Sequence, residues 1–238
     1  ENFHKDLLDS LNNYKLVDLF AGTGAFSYVF SKFKNVECVF ANDFCKKSEN
    51  IYNKNHSIKL NNLDILDLKL EDIPSHDILC AGFSCQPFSI AGKQKGFKDE
   101  RSNVFWKILE IIEAKSPKVI IMENVKNLKS HDNGTTFNII KENIEKLSYT
   151  IYYDIINTCK ITNIPHNRER IYIICFKNPE LSIKFDFPTC KNDKIIDFIE
   201  DNIPDKYYYT DKYKIYQTCV DNITKNIKEN VLYQYRRY

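Results

Sequence analysis

The sequence is poor in glycine and lacks the patterns of a secreted or membrane-bound protein. Only six of its 238 residues are glycine, and residues 135–238 contain none, so tight turns are expected mainly in the first half. No apolar run approaches the roughly 20 residues that cross a bilayer, and the first residues lack the layout of a signal peptide. We therefore expect a soluble, cytoplasmic protein with no membrane partner.

The eight cysteines include no C-x-x-C pair, which argues against a zinc site or a disulfide framework. We expect reduced thiols and no metal, with Cys38, Cys80 and Cys175 packed as small hydrophobic residues inside apolar runs. The formal net charge of +2 gives no indication of a nucleic-acid ligand. A hydrophobic content of 43% is enough for a substantial globular core.

Short apolar runs alternate with helix-length amphipathic stretches from about residue 14 to 176. The predicted strands are Lys15–Phe20, Val36–Phe40, Asp77–Phe83, Lys118–Glu123, Thr150–Thr158 and Arg170–Phe176. The predicted helices are Ala25–Phe33, Lys46–Asn55, Val104–Lys115 and Phe137–Leu147. This alternation predicts an α/β fold with a doubly wound parallel sheet, which binds ligands at the carboxyl ends of its strands.

The composition changes after Phe187, where Lys, Asn, Asp, Ile and Tyr dominate. We expect a catalytic and cofactor-binding domain at residues 1–187 and a connecting segment at 188–238.

A glycine turn follows the first predicted strand, in the sequence D-L-F-A-G-T-G-A-F from Asp18 to Phe26. Glycines let the backbone approach a ligand, and the following helix offers free N–H groups. Asp43 and Asp64 follow later strand candidates and are suited to bind ribose hydroxyls and an adenine amino group, respectively. The alternatives are a simple tight turn and two solvated turn aspartates.

A Gly/Pro/Ser-bounded loop contains Cys85, which has left the preceding strand and is therefore open to approach. A thiolate is a strong nucleophile for a polarised carbon, and cationic neighbours favour the thiolate form. Lys93, Lys95 and Arg101 make the loop basic enough to face phosphates, although a solvated surface loop would have the same composition.

Two later strand ends contribute charged residues. Glu123 ends a hydrophobic strand, where partial desolvation favours a carboxyl that can donate a proton. Arg168 and Arg170 alternate along a strand, so they are expected to share one side and could clamp a base edge or a phosphate. The structural alternatives are a strand-end glutamate and an arginine paired with Glu169 or another carboxylate.

In this order and spacing, the blocks resemble the bacterial DNA (cytosine-5)-methyltransferases of restriction-modification systems, particularly the HhaI-type enzymes. The resemblance covers residues 15 to about 187 and includes D-L-F-A-G, G-F-x-C-Q-x-F-S-x-x-G-K-Q-K-G-F, E-N-V-K-N and R-E-R-I-Y. It implies a Rossmann-like, S-adenosylmethionine-dependent methyltransferase fold, with a mostly parallel sheet, one antiparallel strand and helices on both faces.

The resemblance also implies a mechanism on cytosine in double-stranded DNA. Cys85 would add to C6, and Glu123 would bind N3 and the exocyclic amine and supply a proton. Arg168 would contact O2, and Arg170 would support that arrangement. Methyl transfer to C5 would leave S-adenosyl-L-homocysteine, and the base would have to rotate out of the duplex.

Further residues are implied for binding. The implied cofactor site consists of Phe20, Ala21, Gly22, Gly24, Asp43, Phe44, Asp64, Ile65, Ser84 and Val104. The implied DNA-facing loop residues are Gln86, Ser89, Lys93, Gln94 and Arg101. The loop from Ser89 to Arg101 would close over the base, with Gly92 and Gly96 giving hinge freedom.

The chain departs from the family pattern at several points. Ser84 stands where Pro usually precedes the cysteine, and Ala25 and His166 replace the more usual Gly and Gln. No target-recognition domain and no closing G-N-x-V segment is recognisable after the R-E-R block. We therefore expect a second polypeptide or a further C-terminal part to supply DNA recognition.

Three other functions are compatible with parts of the sequence. The same scaffold could methylate cytosine in tRNA, or the chain could be a catalytically silent DNA-binding or regulatory subunit. Retention of Cys85, Glu123 and Arg168 argues against silence. A nicotinamide-dependent dehydrogenase is disfavoured because the turn lacks the third glycine of that fingerprint.

Overall fold

The computed structural model describes residues 13–83, 103–178, 180–181, 183–187 and 190. Predictions for Ser84, Cys85 and the rest of the basic loop up to Arg101 lie outside these residues. The chain divides into two compact units, Glu1–Ile156 with Glu169–Asp186, and Asn157–Arg168 with Phe187–Tyr238. The boundary predicted between residues 187 and 188 stays a prediction.

The predicted strands and helices are all present among the described residues. The strands are β1 Tyr14–Leu19, β2 Val36–Asn42, β3 Ile78–Ala81, β4 Val119–Val125, β5 Thr150–Asn157 and β6 Glu169–Phe176. The helices are α1 Ala25–Phe30, α2 Lys46–Asn55, α3 Asn103–Lys115, α4 Thr135–Lys146 and α5 Thr158–Ile161. Short 3-10 turns occur at Ile65–Asp67, Leu70–Asp72, Lys126–Leu128 and His131–Gly134.

The strands form a six-stranded sheet in the order β2-β1-β3-β4-β6-β5. β1 pairs in parallel with β2 and β3, β3 pairs in parallel with β4, and β6 runs antiparallel to β4. This confirms the mostly parallel sheet with an antiparallel strand. Because the parallel strands share one direction, the carboxyl ends of β1 to β4 lie at the same edge.

Two elements end two or more residues earlier than predicted. β3 stops at Ala81 and not at Phe83, since Gly82 retains only a long hydrogen bond of 3.4 Å to the Leu19 carbonyl. α1 stops at Phe30 and not at Phe33, because the Ser31 hydroxyl donates to the Tyr28 carbonyl at 2.8 Å and the chain turns.

The core lies mainly on one face of the sheet. Alternate residues of β4 and β6 are buried there, including Ile120, Met122, Ile171 and Ile173. The helices α3 and α4 cover this face with Phe105, Ile108, Ile111, Phe137, Ile140 and Ile144. On the other face, Phe26 and Phe30 of α1 pack against Leu16, Ile78 and Cys80. Helices therefore cover both faces, as predicted.

The cysteine expectations hold for two of the three strand positions. Cys80 and Cys175 are fully buried, whereas Cys38 is half-buried and its Sγ lies 3.5 Å from the Ser27 hydroxyl. The six cysteines of the described residues are all free thiols. Among those same residues, no cluster of three or more His, Cys, Asp or Glu is arranged to hold a metal ion.

The second unit is described only in part. Asn157 caps α5 by accepting a hydrogen bond from the Cys159 N–H at 3.3 Å, and the Thr158 N–H donates to the Arg168 carbonyl at 3.0 Å. The Cys190 thiol donates to the Ile161 carbonyl at 3.2 Å. Throughout the described part of the chain, no helix has the length and apolar character that crossing a membrane requires.

Candidate active site

The glycine turn is built on left-handed backbone at the end of β1. Phe20, Gly22 and Gly24 have φ angles of 56°, 56° and 92°. The Ala21 N–H donates to the Asn42 carbonyl at 3.0 Å, which ties the turn to the end of β2. A Cβ added to Gly22 would meet nothing within 4 Å, so the turn opens into free space within the described structure.

Asp18 supports the turn from inside the protein. Its Oδ2 accepts hydrogen bonds from the Ser27 N–H at 3.0 Å and the Ser27 hydroxyl at 2.6 Å, which fixes the start of α1. Among the described residues, its other oxygen has no hydrogen-bond partner. Burial raises the pKa of Asp18 to about 6, with a smaller opposing effect from the Ser27 hydrogen bonds.

Asp43 connects the glycine turn to α2. Its Oδ2 accepts from the Gly22 N–H and its Oδ1 from the Cys45 N–H, each at 2.8 Å. The carboxylate therefore has a structural function. Each carboxylate oxygen can accept a second hydrogen bond, so the same group retains the capacity to bind a ribose hydroxyl.

Asn42 connects the segment that precedes Asp64 to the end of β2. Its buried side chain donates to the main-chain carbonyls of Asn61 at 3.0 Å and Leu63 at 2.9 Å. Asp64 follows directly, is exposed, and caps a 3-10 turn by accepting from the Leu66 N–H at 3.0 Å. Sequence reasoning missed Asn42, although a polar residue at the end of an apolar strand was a usable signal.

An exposed aromatic residue, Phe44, follows Asp43 in the sequence. Phe44 is 70% exposed, whereas Ile65 is buried and Val104 packs at the edge of the main core. An open glycine turn, two carboxylates and an exposed ring suit a ligand with hydroxyls, an amino group and an aromatic base. The residues of this edge therefore fit the adenosine part of S-adenosylmethionine.

His56 closes the glycine turn from the side. Its Nε2 lies 3.2 Å from the Thr23 carbonyl, and its ring stacks on buried Tyr52 with the centroids 4.2 Å apart. A Cβ on Gly24 would lie 2.1 Å from this nitrogen, so no larger residue fits without displacing the ring. No sequence signal indicates His56, because the contact depends on how α2 packs.

Glu123 and Arg170 form an ion pair at the end of β4. The Arg170 Nε lies 3.0 Å from the Glu123 Oε1, and the two side chains are 24% and 23% exposed. The Arg170 Nη1 also donates to the Glu169 carbonyl at 2.8 Å. A Cβ on Gly82 would lie 3.9 Å from the Glu123 Oε2 and 4.0 Å from the Phe20 carbonyl. The carboxylate is thus close to the ends of β1 and β3.

The two arginines of the R-E-R block fall in different units. Arg170 belongs to the unit that contains Glu123, and Arg168 belongs to the other. Glu169, between them, pairs with Lys126. The structure therefore brings Glu123 and Arg170 together, and the predicted role of Arg168 stays a prediction.

A mixed six-stranded sheet with helices on both faces and a glycine turn at its carboxyl edge is a Rossmann-like α/β fold. Two similar solved structures share this fold. A methyltransferase of Entamoeba histolytica, EhMeth, has a TM-score of 0.70 at 21% identity and matches 84% of this chain and 64% of its own. S. pombe Dnmt2 has a TM-score of 0.69 at 21% identity and matches 90% of this chain and 68% of its own.

The sequence assigns the chain within this class. The profile of the C-5 cytosine-specific DNA methylase family matches residues 14–236, and the chain belongs to that family. Its enzyme class is therefore DNA (cytosine-5)-methyltransferase, which confirms the resemblance noted from the motifs.

Relatives from restriction-modification systems are similar over most of the chain. Type II methyltransferase M.Bsp6I of Bacillus sp. (strain RFL6) is 41% identical over 94% of this chain and 72% of its own length. M.HaeII of Haemophilus aegyptius is 41% identical over 91% of this chain and 67% of its own length. M.HhaI of Haemophilus parahaemolyticus is 45% identical over 75% of this chain and 54% of its own length. The chain thus spans between about half and three quarters of these relatives.

Proposed function

We propose that the chain transfers the methyl group of S-adenosylmethionine to C5 of a cytosine in a specific duplex DNA sequence, through a transient bond between Cys85 and C6. The ion-paired Glu123 carboxylate beside Gly82, at the edge that carries the glycine turn, is the observation that supports this most strongly. It supports a role for the Glu123 carboxyl group beside the segment that leads to the proposed nucleophile.

Chain length limits the distance between Cys85 and Glu123. Gly82 lies beside the Glu123 carboxylate, and Cys85 comes three residues later. Three residues of extended chain span at most about 11 Å between Cα atoms. A pyrimidine ring could therefore contact both groups at once.

The proposed steps conserve bonds and charge. The Cys85 thiolate adds to C6, while Glu123 binds N3 and the exocyclic amine and supplies a proton to the ring. C5 becomes nucleophilic and receives the methyl group. This transfer leaves S-adenosylhomocysteine. A base then removes the C5 proton, the C6–S bond breaks to release the thiolate, and N3 returns its proton to Glu123, which restores the aromatic ring and the enzyme.

Each arginine has a separate proposed role. Arg170 keeps the Glu123 carboxylate in position, an assignment supported by the 3.0 Å contact. Arg168 contacts O2 of the base, an assignment that rests on the family motif alone. A planar guanidinium suits both tasks because its donors have a fixed geometry.

The cofactor supplies an activated methyl group, and the residues at the carboxyl edge orient it. Phe44 stacks on the adenine ring, Asp43 accepts hydrogen bonds from the ribose and Asp64 accepts from the adenine amino group. Gly22 leaves room for the amino-acid part because no side chain fills the space above it.

The target cytosine leaves the double helix before it reacts. Glu123 and Arg170 are three-quarters buried at the sheet edge, so a stacked base could not reach them. We further propose that a second polypeptide or a further part of the same protein recognises the DNA sequence, in keeping with the greater length of the relatives.

The test uses labelled cofactor with the complete enzyme and either duplex DNA or tRNA. Label is expected in DNA, and Cys85→Ser should abolish it. Glu110→Gln, on the exposed side of α3, is the control and should transfer label normally. Label in tRNA alone would establish the RNA alternative, and bound cofactor without transfer to either substrate would indicate a silent subunit.

A further inference from the structure

A buried amide on β4 holds the chain that leads to Cys85. The Asn124 Nδ2 donates to the Phe83 carbonyl at 3.1 Å, and its Oδ1 accepts from the Val125 N–H at 2.9 Å. The residue is only 2% exposed. Because the amide donates at one end and accepts at the other, its orientation is fixed, and a carboxylate of the same shape would lack the donor.

This contact begins where main-chain pairing stops. The last paired residues of β3 and β4 are Ala81 and Met122. At Phe83, two residues further on, the side chain of Asn124 makes the link that the main chain no longer makes. The amide therefore extends the association of the two strands towards the nucleophile.

Phe83 is also held from a second direction. Its ring packs against Phe105 of α3 with the centroids 6.2 Å apart, and both rings are buried. The carbonyl is thus positioned by β4 and the ring by α3. Two residues span at most about 7 Å, so an error in the orientation of Phe83 would be passed to the Cys85 thiol.

From these contacts we infer that Asn124 is a positioning residue for the Cys85 nucleophile, an inference that rests on the proposed function. The Asn124 hydrogen bond is more important because residue 84 is serine and not proline. A proline at position 84 would confine the Phe83 backbone to extended conformations, and serine imposes no such limit. The Asn124 hydrogen bond provides the restraint that the backbone lacks.

The test is Asn124→Asp in the complete enzyme, with a library of duplexes that carry 5-fluorocytosine in randomised flanking sequences. The rate of covalent protein–DNA adduct formation is measured, and cofactor affinity is followed by titration with S-adenosylhomocysteine. Adduct formation should slow between about 10-fold and 100-fold, as expected for a misplaced reacting group. Cofactor affinity should be unchanged.

Two further variants separate positioning from a general loss of structure. Ser84→Pro should restore part of the adduct rate in the Asn124→Asp background, because it restrains Phe83 independently. Tyr149→Phe is the matched comparison, since Tyr149 is 4% exposed and its hydroxyl also donates to a main-chain carbonyl, that of Pro117 at 2.6 Å, just before the start of β4. It should leave both cofactor affinity and the adduct rate unchanged.

The outcomes distinguish this inference from the proposed function. No adduct with the unsubstituted enzyme would refute the Cys85 mechanism itself. An adduct at the normal rate with Asn124→Asp would refute only the role of Asn124. Should Asn124→Asp and Asn124→Ala both lose cofactor binding together with adduct formation, Asn124 would be a general structural residue and the inference would fail.

Discussion

Arg170 reaches Glu123 diagonally across two antiparallel strands. The register of β4 and β6 places Arg170 opposite Val125 and Glu123 opposite Tyr172, and the Arg170 Nε lies 3.0 Å from the Glu123 Oε1. Diagonal neighbours on one face of a sheet are within reach of long side chains. The antiparallel strand β6 therefore positions the Arg170 guanidinium beside the Glu123 carboxylate, near the end of the parallel strand β4.

Replacing Arg170 by alanine should reduce methyl transfer by about 100-fold, because the carboxylate loses the group that orients it. The measurement is single-turnover transfer of labelled methyl to DNA. Lys118→Ala is the matched control: its ion pair with Asp77, at 2.8 Å, lies at the opposite ends of the strands. Full activity in Arg170→Ala would show that the ion pair is dispensable.

Gly24→Ala should destabilise the protein more than Gly22→Ala. Both glycines have positive φ, but a Cβ on Gly24 would lie 2.1 Å from the His56 Nε2, whereas one on Gly22 meets nothing within 4 Å. Backbone strain alone costs about 1–3 kcal/mol, and the clash adds to it only at Gly24. Chemical denaturation gives both free energies of unfolding.

His56→Ala provides the internal check on this comparison. In the Gly24→Ala background it removes the clash and should recover part of the lost stability, while the strain from the positive φ remains. Equal losses in Gly22→Ala and Gly24→Ala would mean that the His56 ring moves aside without cost.

Sequence patterns predicted the elements of the fold because each depends on local periodicity. Apolar runs and amphipathic stretches located every strand that the structure describes and four of its five α-helices; the short helix α5 was not predicted. Strand ends also indicated that Asp43 and Glu123 lie at one edge of the sheet. The rule that the carboxyl ends of parallel strands lie at one edge of a sheet was sufficient to predict that these two residues share an edge.

The supporting residues could not be predicted in the same way. Asn42 contacts a carbonyl 21 residues away, and Asn124 contacts one 41 residues away. The His56 ring, at the end of α2, contacts the Thr23 carbonyl of the glycine turn. Such contacts depend on tertiary packing, and a polar residue in a strand gives no sequence signal for its distant partner.

Phe44→Ala should weaken cofactor binding by about 10-fold without lowering stability. The side chain is 70% exposed, so its removal costs little packing, while a stacked ring contributes about 1–2 kcal/mol to binding of an aromatic base. Calorimetric titration with S-adenosylhomocysteine measures the effect. Tyr28→Ala removes another exposed ring, on α1, and should bind normally. Unchanged affinity in Phe44→Ala would place the adenine elsewhere.

Asp18→Asn should remove a pH dependence of stability below neutrality. Burial raises the pKa of Asp18 from 3.8 to about 6, so between those values the folded protein keeps a proton that the unfolded chain has released. Stability therefore falls as pH rises through this window and stays lower above it, by on the order of 3 kcal/mol. Asparagine cannot ionise and can still accept from Ser27, so the variant should be the more stable protein at pH 8.

Asp77→Asn is expected to act in the opposite direction. Burial favours protonation of Asp77, but hydrogen bonds from Lys118 and from the Lys15 N–H, together with the Lys118 charge, outweigh it and lower the pKa of Asp77. Its contribution is present above the unfolded pKa and is lost as pH falls through the folded value, so removing the charge should destabilise the protein at pH 8. Denaturant midpoints measured from pH 4 to pH 8 test both variants. If Asp18→Asn keeps the slope of the unsubstituted protein between pH 4 and pH 6, Asp18 remains ionised despite its burial.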